Sequence, residues 1–117
     1  LHSHSYTGNP LACRAALATL AIFDEDDILA RNRAWAARFD AALAPLRRHR
    51  AVRHWRRAGM IWAFDVAADP GFAQRYAAAA LARGLLLRPI GATVYLMPPY
   101  VLARETLATL DDALEAR

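Results

Sequence analysis

The chain has 117 residues, a net charge of +4 and an apolar share of 56% inflated by alanine, which fits one domain with a modest core. Every basic side chain of the Lys/Arg type is arginine, so a mechanism that needs a lysine Schiff base cannot run on this chain alone. The single cysteine, Cys13, excludes an intrachain disulfide and agrees with a cytoplasmic setting, while no apolar run reaches the roughly 18–20 residues of a membrane span.

Leu1 to Thr7 reads as a polar loop, and a start there without methionine suggests a piece of a larger enzyme. Asn9 suits a helix N-cap and Pro10 the first helical position, where its missing N–H costs nothing. Leu11, Ala15, Leu17, Ala18 and Ile22 then follow at helical spacing, although the stretch lacks the leader and cleavage pattern of a signal peptide. Asp24 to Asp27 breaks that helix and places acidic charge at the start of the next. The second helix is expected from about Ile28 to about Leu46, with Leu29, Trp35, Ala36, Phe39 and Leu43 as its apolar stripe.

Strands are expected at Ala51–Arg56 and Met60–Val66, joined by a turn at Ala58-Gly59. The near-continuous apolar run of the second marks a buried strand. Asp69-Pro70-Gly71 opens a helix over Phe72–Arg83, and Gly84 stops it. Leu85–Arg88 reads as a short strand, Pro89-Ile90-Gly91 as a turn, and Thr93–Met97 as a strand ended by Pro98-Pro99. A last helix is expected over Arg104–Ala116, burying Leu107, Leu110 and Leu114. The pattern predicts an α/β chain of the two-layer α+β kind, with a small, mostly antiparallel sheet and helices on one face.

Few residues carry chemistry by type and position. Arg88 closes an apolar run just before a stiff turn, a place suited to a bidentate grip on a carboxylate; the plain alternative is an exposed rim arginine. The hydroxyl-rich loop from His2 to Pro10 leads into a helix N-terminus, which suits phosphate, or is a solvated loop before a capped helix. His2 and His4 have metal-like spacing but no further ligands nearby. Six arginines, two histidines and Trp55 crowd residues 47–57, the composition either of a nucleic-acid surface or of a half-exposed strand with a basic outer face. Cys13, on an apolar helix face, reads as a buried small hydrophobe. Tyr95 and Tyr100 read as packing residues.

Three motifs occur in order: His-Ser-Tyr-Thr-Gly-Asn-Pro-Leu-Ala-Cys at 4–13, Leu-Arg-Pro-Ile-Gly at 87–91 and Val-Tyr-Leu-Met-Pro-Pro-Tyr at 94–100. Together, with Arg56 and Gly59 in the first hairpin, they resemble the C-terminal part of the class III pyridoxal-phosphate aminotransferases. Within that class they are similar to the adenosylmethionine–8-amino-7-oxononanoate aminotransferases of biotin synthesis. The resemblance implies a fold-type-I homodimer using pyridoxal 5'-phosphate, with S-adenosylmethionine as amino donor and 8-amino-7-oxononanoate as acceptor. It implies residues 1–10 as an active-site loop of the large domain, 11–46 as linker helices and 47–117 as the C-terminal small domain. Arg88 then matches the arginine that binds the substrate carboxylate, and Tyr95 a tyrosine near the substrate. Ser5 matches a hydroxyl that reaches the cofactor phosphate of the partner subunit, with His4 beside it. The active-site lysine would lie upstream, so the chain alone should be inactive, without bound cofactor, and should show an unusually apolar surface. Nucleic acid and membrane are not expected partners. The rivals are another class III ω-aminotransferase, an arginine-rich nucleic-acid-binding module, and a non-catalytic interaction domain.

Overall fold

Asn9 begins the fold as its chemistry demands. In the computed structural model, which describes residues 7–101, its side-chain oxygen accepts from the Leu11 and Ala12 N–H groups at 3.0 and 3.2 Å. Helix α1 runs from there over Pro10–Glu25, with Pro10 in the first turn. The acidic break follows, and Asp27, in the left-handed region at φ 46°, turns the chain into α2, Ile28–Ala42.

Helix α2 stops earlier than the expected Leu46. Inside a continuous helix Pro45 would clash with the Ala41 carbonyl and donate no N–H. The chain instead restarts at Leu43, and Pro45 sits in the first turn of a short helix α3, Ala44–Arg47.

Strands β1, Arg53–Ala58, and β2, Ile61–Asp65, form an antiparallel hairpin. The turn falls one residue later than expected, at Gly59-Met60, because Ala58 still pairs with Ile61. Gly59 takes φ +56° at the first turn position, a requirement of tight hairpins that glycine meets without strain. The register shifts between Arg53 and Arg56, where two residues oppose one; His54 sits in this bulge at φ 48°. Helix α4, Phe72–Leu81, follows. Gly84, at φ 77°, ends it with both bonds of a Schellman motif: Leu85 N–H to the Ala80 carbonyl and Gly84 N–H to that of Leu81.

Strand β3, Thr93–Leu96, pairs antiparallel with β2, so the three-stranded sheet has the order β1-β2-β3. The expected strand at Leu85–Arg88 is not in the sheet. Its burial alternates as in a strand, Leu85 and Leu87 half-buried against Leu86 and Arg88 exposed, but it joins no ladder. An isolated bridge joins Ile90 to Thr93, and the pairing goes no further toward Leu85 among the described residues.

The core lies between α2 and one face of the sheet. Ala36, Phe39 and Leu43 of the α2 side meet Trp62, Phe64, Val94 and Leu96, with Met60 beneath the hairpin turn. Phe72 and Tyr76 of α4 pack against the same cluster, which puts these helices on one face. Trp62, wholly buried, stacks on Phe39 at 5.1 Å and donates its indole N–H to Asp40 at 2.7 Å. Trp55 stacks on Phe64 at 5.7 Å. The expected helix over 104–116 lies outside the described residues.

Candidate functional site

Side chains alternate along β3. Val94 and Leu96 enter the core, so Thr93 and Tyr95 stand on the opposite face of the sheet, both half-buried. On that face Thr93 is paired with Asp65 and Tyr95 with Ala63. Arg88 comes to the edge of this region by the same rule. Leu85 and Leu87 pack on the core, so Arg88 projects away from it, exposed at the entrance to the 89–92 turn. The ion pairs among the described residues use His54, Arg56, Arg57 and Arg75 as cations, and Arg88 is in none of them. A guanidinium on a stiff turn, without a carboxylate partner among the described residues, is chemically suited to take one from a ligand.

The turn that follows Arg88 is well tied. Ile90 and Thr93 exchange both backbone hydrogen bonds, at 2.9 and 3.0 Å, and the Val66 N–H donates to the Ala92 carbonyl at 3.0 Å. Gly91 supplies φ +58° between them. Beneath it lies a cluster that sequence reasoning missed. The Thr93 hydroxyl donates to Asp65 Oδ1 at 2.7 Å, Arg56 Nη2 donates to the same oxygen at 3.1 Å, and His54 Nδ1 lies 3.0 Å from Oδ2. These bonds, that of Thr93 foremost, lower the Asp65 pKa to about 2. Asp65 stands as a lone acid closing an apolar strand; that position was its only sequence signal.

A second recess opens between α2 and the hairpin turn. It is a cleft of about 450 Å³ lined by Leu29, Asn32, Ala36, Arg57, Met60 and Tyr100, among others. Asn32 is only 6% exposed, and its amide oxygen and nitrogen have no hydrogen-bond partner among the described residues.

The remaining candidates fare unevenly. Ser5 and His4 lie outside the described residues, as does His2. The start of α1 is not an open phosphate site: Asn9 occupies the Leu11 and Ala12 donors, Pro10 has none, and the Cys13 N–H bonds the Asn9 carbonyl at 3.0 Å. Any phosphate contact from this region therefore falls to the preceding loop. Cys13 is exposed, against the expectation of burial, because α1 buries none of its residues. Leu11, Leu17, Leu20 and Ile22 stand more than half exposed along it, which matches the apolar surface expected from the sequence. Tyr100 is exposed, its ring edge-on to Phe23 at 5.7 Å. Of the basic stretch, Arg56 is committed to Asp65 and Arg57 lies 3.7 Å from Asp40. No helix among the described residues is long and apolar enough to cross a membrane.

Comparison with known proteins gives one consistent likeness. The family described as Aminotransferase class-III matches residues 1–116. An adenosylmethionine-8-amino-7-oxononanoate aminotransferase of Helicobacter pylori is 42% identical over 116 residues, covering 90% of this chain and 26% of that protein. An ornithine aminotransferase of Bordetella pertussis is 33% identical over 107 residues, covering 91% of this chain and 26% of that protein. The crystal structure of adenosylmethionine-8-amino-7-oxononanoate aminotransferase from Methanocaldococcus jannaschii superposes with a TM-score of 0.83 at 31% identity, covering 97% of this chain and 28% of the other. The chain thus spans about a quarter of the length of the relatives it matches.

Proposed function

The chain belongs to the class III aminotransferases, and from that premise we propose that it supplies the substrate-carboxylate side of an adenosylmethionine–8-amino-7-oxononanoate aminotransferase. The observation that carries the proposal is Arg88: exposed, without a carboxylate partner among the described residues, and held at the mouth of a tied turn beside the Tyr95 face. The acceptor is 8-amino-7-oxononanoate, whose carboxylate Arg88 takes in a charge-assisted fork, while Tyr95 borders the substrate chain. The donor is S-adenosylmethionine. Its product differs in shape from the acceptor, and an exposed arginine on one turn swings aside for one and returns for the other.

Class III aminotransferases depend on pyridoxal 5'-phosphate, which serves as the electron sink and carrier of the amino group when bound. The described residues do not make a cradle for it, since the α1 donors are occupied and the chain has no lysine. The groups assigned to it here are the Ser5 hydroxyl, for the phosphate of a partner subunit, and His4 beside it. Residues 1–10 as active-site loop, 11–46 as linker helices, 47–117 as small domain, a homodimer and a cytoplasmic setting belong to the same proposal. The uncovered apolar side of α1 supports it, because a further part of the enzyme would bury that side.

The test is amino transfer by an enzyme that contains this chain together with the remaining length of its relatives. Transfer from S-adenosylmethionine to 8-amino-7-oxononanoate is expected, and Arg88→Leu should lower kcat/KM for the acceptor about 10- to 100-fold. Transfer from ornithine and none from S-adenosylmethionine would instead favour the reading supported by the Bordetella relative.

A further inference from the structure

We propose that Asp65 is a positioning residue for Arg88, acting through the Thr93 hydroxyl to fix the turn that presents the guanidinium. The inference rests on the reading of Arg88 as the carboxylate anchor and goes beyond it by naming what holds the anchor in place.

The path is short and continuous. Asp65 Oδ1 accepts from Thr93 Oγ1 at 2.7 Å. Thr93 exchanges both backbone bonds with Ile90, and only Pro89, with its fixed φ, separates Ile90 from Arg88. The neighbouring Val66 N–H holds the Ala92 carbonyl, so the turn is fastened to β2 at two adjacent residues. On its other side Leu85–Arg88 joins no ladder among the described residues and is held there by the packing of Leu85 and Leu87. The hydrogen bonds that fix the turn presenting Arg88 therefore come from its β2 side.

Asp65 is itself kept from swinging. Arg56 holds Oδ1 at 3.1 Å and His54 faces Oδ2 at 3.0 Å. The His54 contact comes from the β1 bulge, whose left-handed φ of 48° is unusual for a residue other than glycine. The four side chains stand on the face of the sheet away from Trp62, Phe64 and Val94, so the cluster adds nothing to the core. Its low pKa, about 2, keeps Asp65 an acceptor at any pH at which an amino group is transferred.

The test uses the complete holoenzyme and two acceptors, 8-amino-7-oxononanoate and its methyl ester, which lacks the charge that Arg88 would grip. Thr93→Val removes the hydroxyl and keeps the β-branched shape of a strand residue. It should raise KM for the acid about five- to tenfold, leave kcat within about twofold, and leave KM for the ester unchanged. Thr93→Ser, which restores the donor, should return KM for the acid to within about twofold of wild type. An equal rise in KM for acid and ester, or no rise for either, would overturn the proposal. Loss of folded enzyme in both Thr93→Val and Thr93→Ala would overturn it too, in favour of a purely structural role. The Arg88 reading fails separately: wild-type enzyme that does not prefer acid to ester, or keeps its preference in Arg88→Leu, removes the premise before Thr93 is considered.

Discussion

Replacing Asn32 by leucine should make this chain more stable, although it removes a polar residue from the middle of a helix. Asn32 is 94% buried by its 6% exposure, and neither amide atom has a partner among the described residues. A buried polar group without a hydrogen bond costs about 1–3 kcal/mol, and here an acceptor and a donor group share that state. The adjoining cleft moderates the cost, because a water entering it could satisfy one of them. Leucine has the same branched side-chain skeleton but is larger, since methyl groups replace the planar amide. The adjoining recess has room for the extra bulk, and leucine carries no polar atom and adds apolar contact with Ala36 and Met60, which line it. The net gain expected is about 1–3 kcal/mol. For a chain of 117 residues each kcal/mol raises Tm by about 4 °C. Urea denaturation followed by tryptophan fluorescence reads the change, since Trp62 sits in the core that α2 covers. The midpoint should rise while m stays constant, and Asn32→Asp, which buries a charge, should fall below wild type. A lower midpoint for Asn32→Leu would refute the reasoning and mean that the amide makes a bond that leucine breaks.

Other outcomes follow from the same geometry. Trp62→Phe loses the 2.7 Å bond to Asp40 and part of the stack on Phe39, so it should cost about 2–4 kcal/mol in urea denaturation followed by circular dichroism. Asp40→Asn keeps an acceptor for the indole and should cost less than about 1 kcal/mol, which separates the bond from the packing. The Asp65 pKa is lowered on folding, from 3.8 to about 2, so its contribution to stability is complete above about pH 4 and is lost as pH falls through about 2. Acid titration of the unfolding midpoint should show that slope, and Asp65→Asn should flatten it.

The parts of the fold that were legible in the sequence are those decided within a few residues. Asn9 and Pro10 start α1 because cap and first-turn chemistry are local, and Gly84 ends α4 because only a left-handed residue completes the Schellman bonds. The central strand β2 was legible as a strand from its apolar run, although it is buried on one face only: Trp62 and Phe64 enter the core while Ile61 is exposed. What was not legible depends on distant partners. The acceptors and donors of the Asp65 cluster lie 9, 11 and 28 residues away from it in sequence. The bulge that brings His54 to Asp65 has no glycine to announce it. Leu85–Arg88 has the alternation of a strand, but alternation does not say whether a partner strand lies beside it, and the pairing ends at the Ile90–Thr93 bridge. Cys13 and the leucines of α1 have the spacing of a buried face, but spacing does not say whether the surface that buries them belongs to these residues.

This distribution separates the core from the proposed carboxylate site by the thickness of one sheet. Along β3 the even-numbered residues Val94 and Leu96 belong to the core, while Thr93 and Tyr95 belong to the face that leads to Arg88. A one-residue slip would exchange the two sets, so the register that buries Val94 also places the Thr93 hydroxyl over Asp65. The bulge in β1 performs the complementary task. It keeps Trp55 stacked on Phe64 at the core while turning His54 to the opposite side. Core substitutions such as Trp62→Phe should therefore move the unfolding midpoint, through the lost stack on Phe39 and the lost bond to Asp40. Thr93→Val should instead move a Michaelis constant, because the hydroxyl it removes lies on the far side of the sheet from that packing.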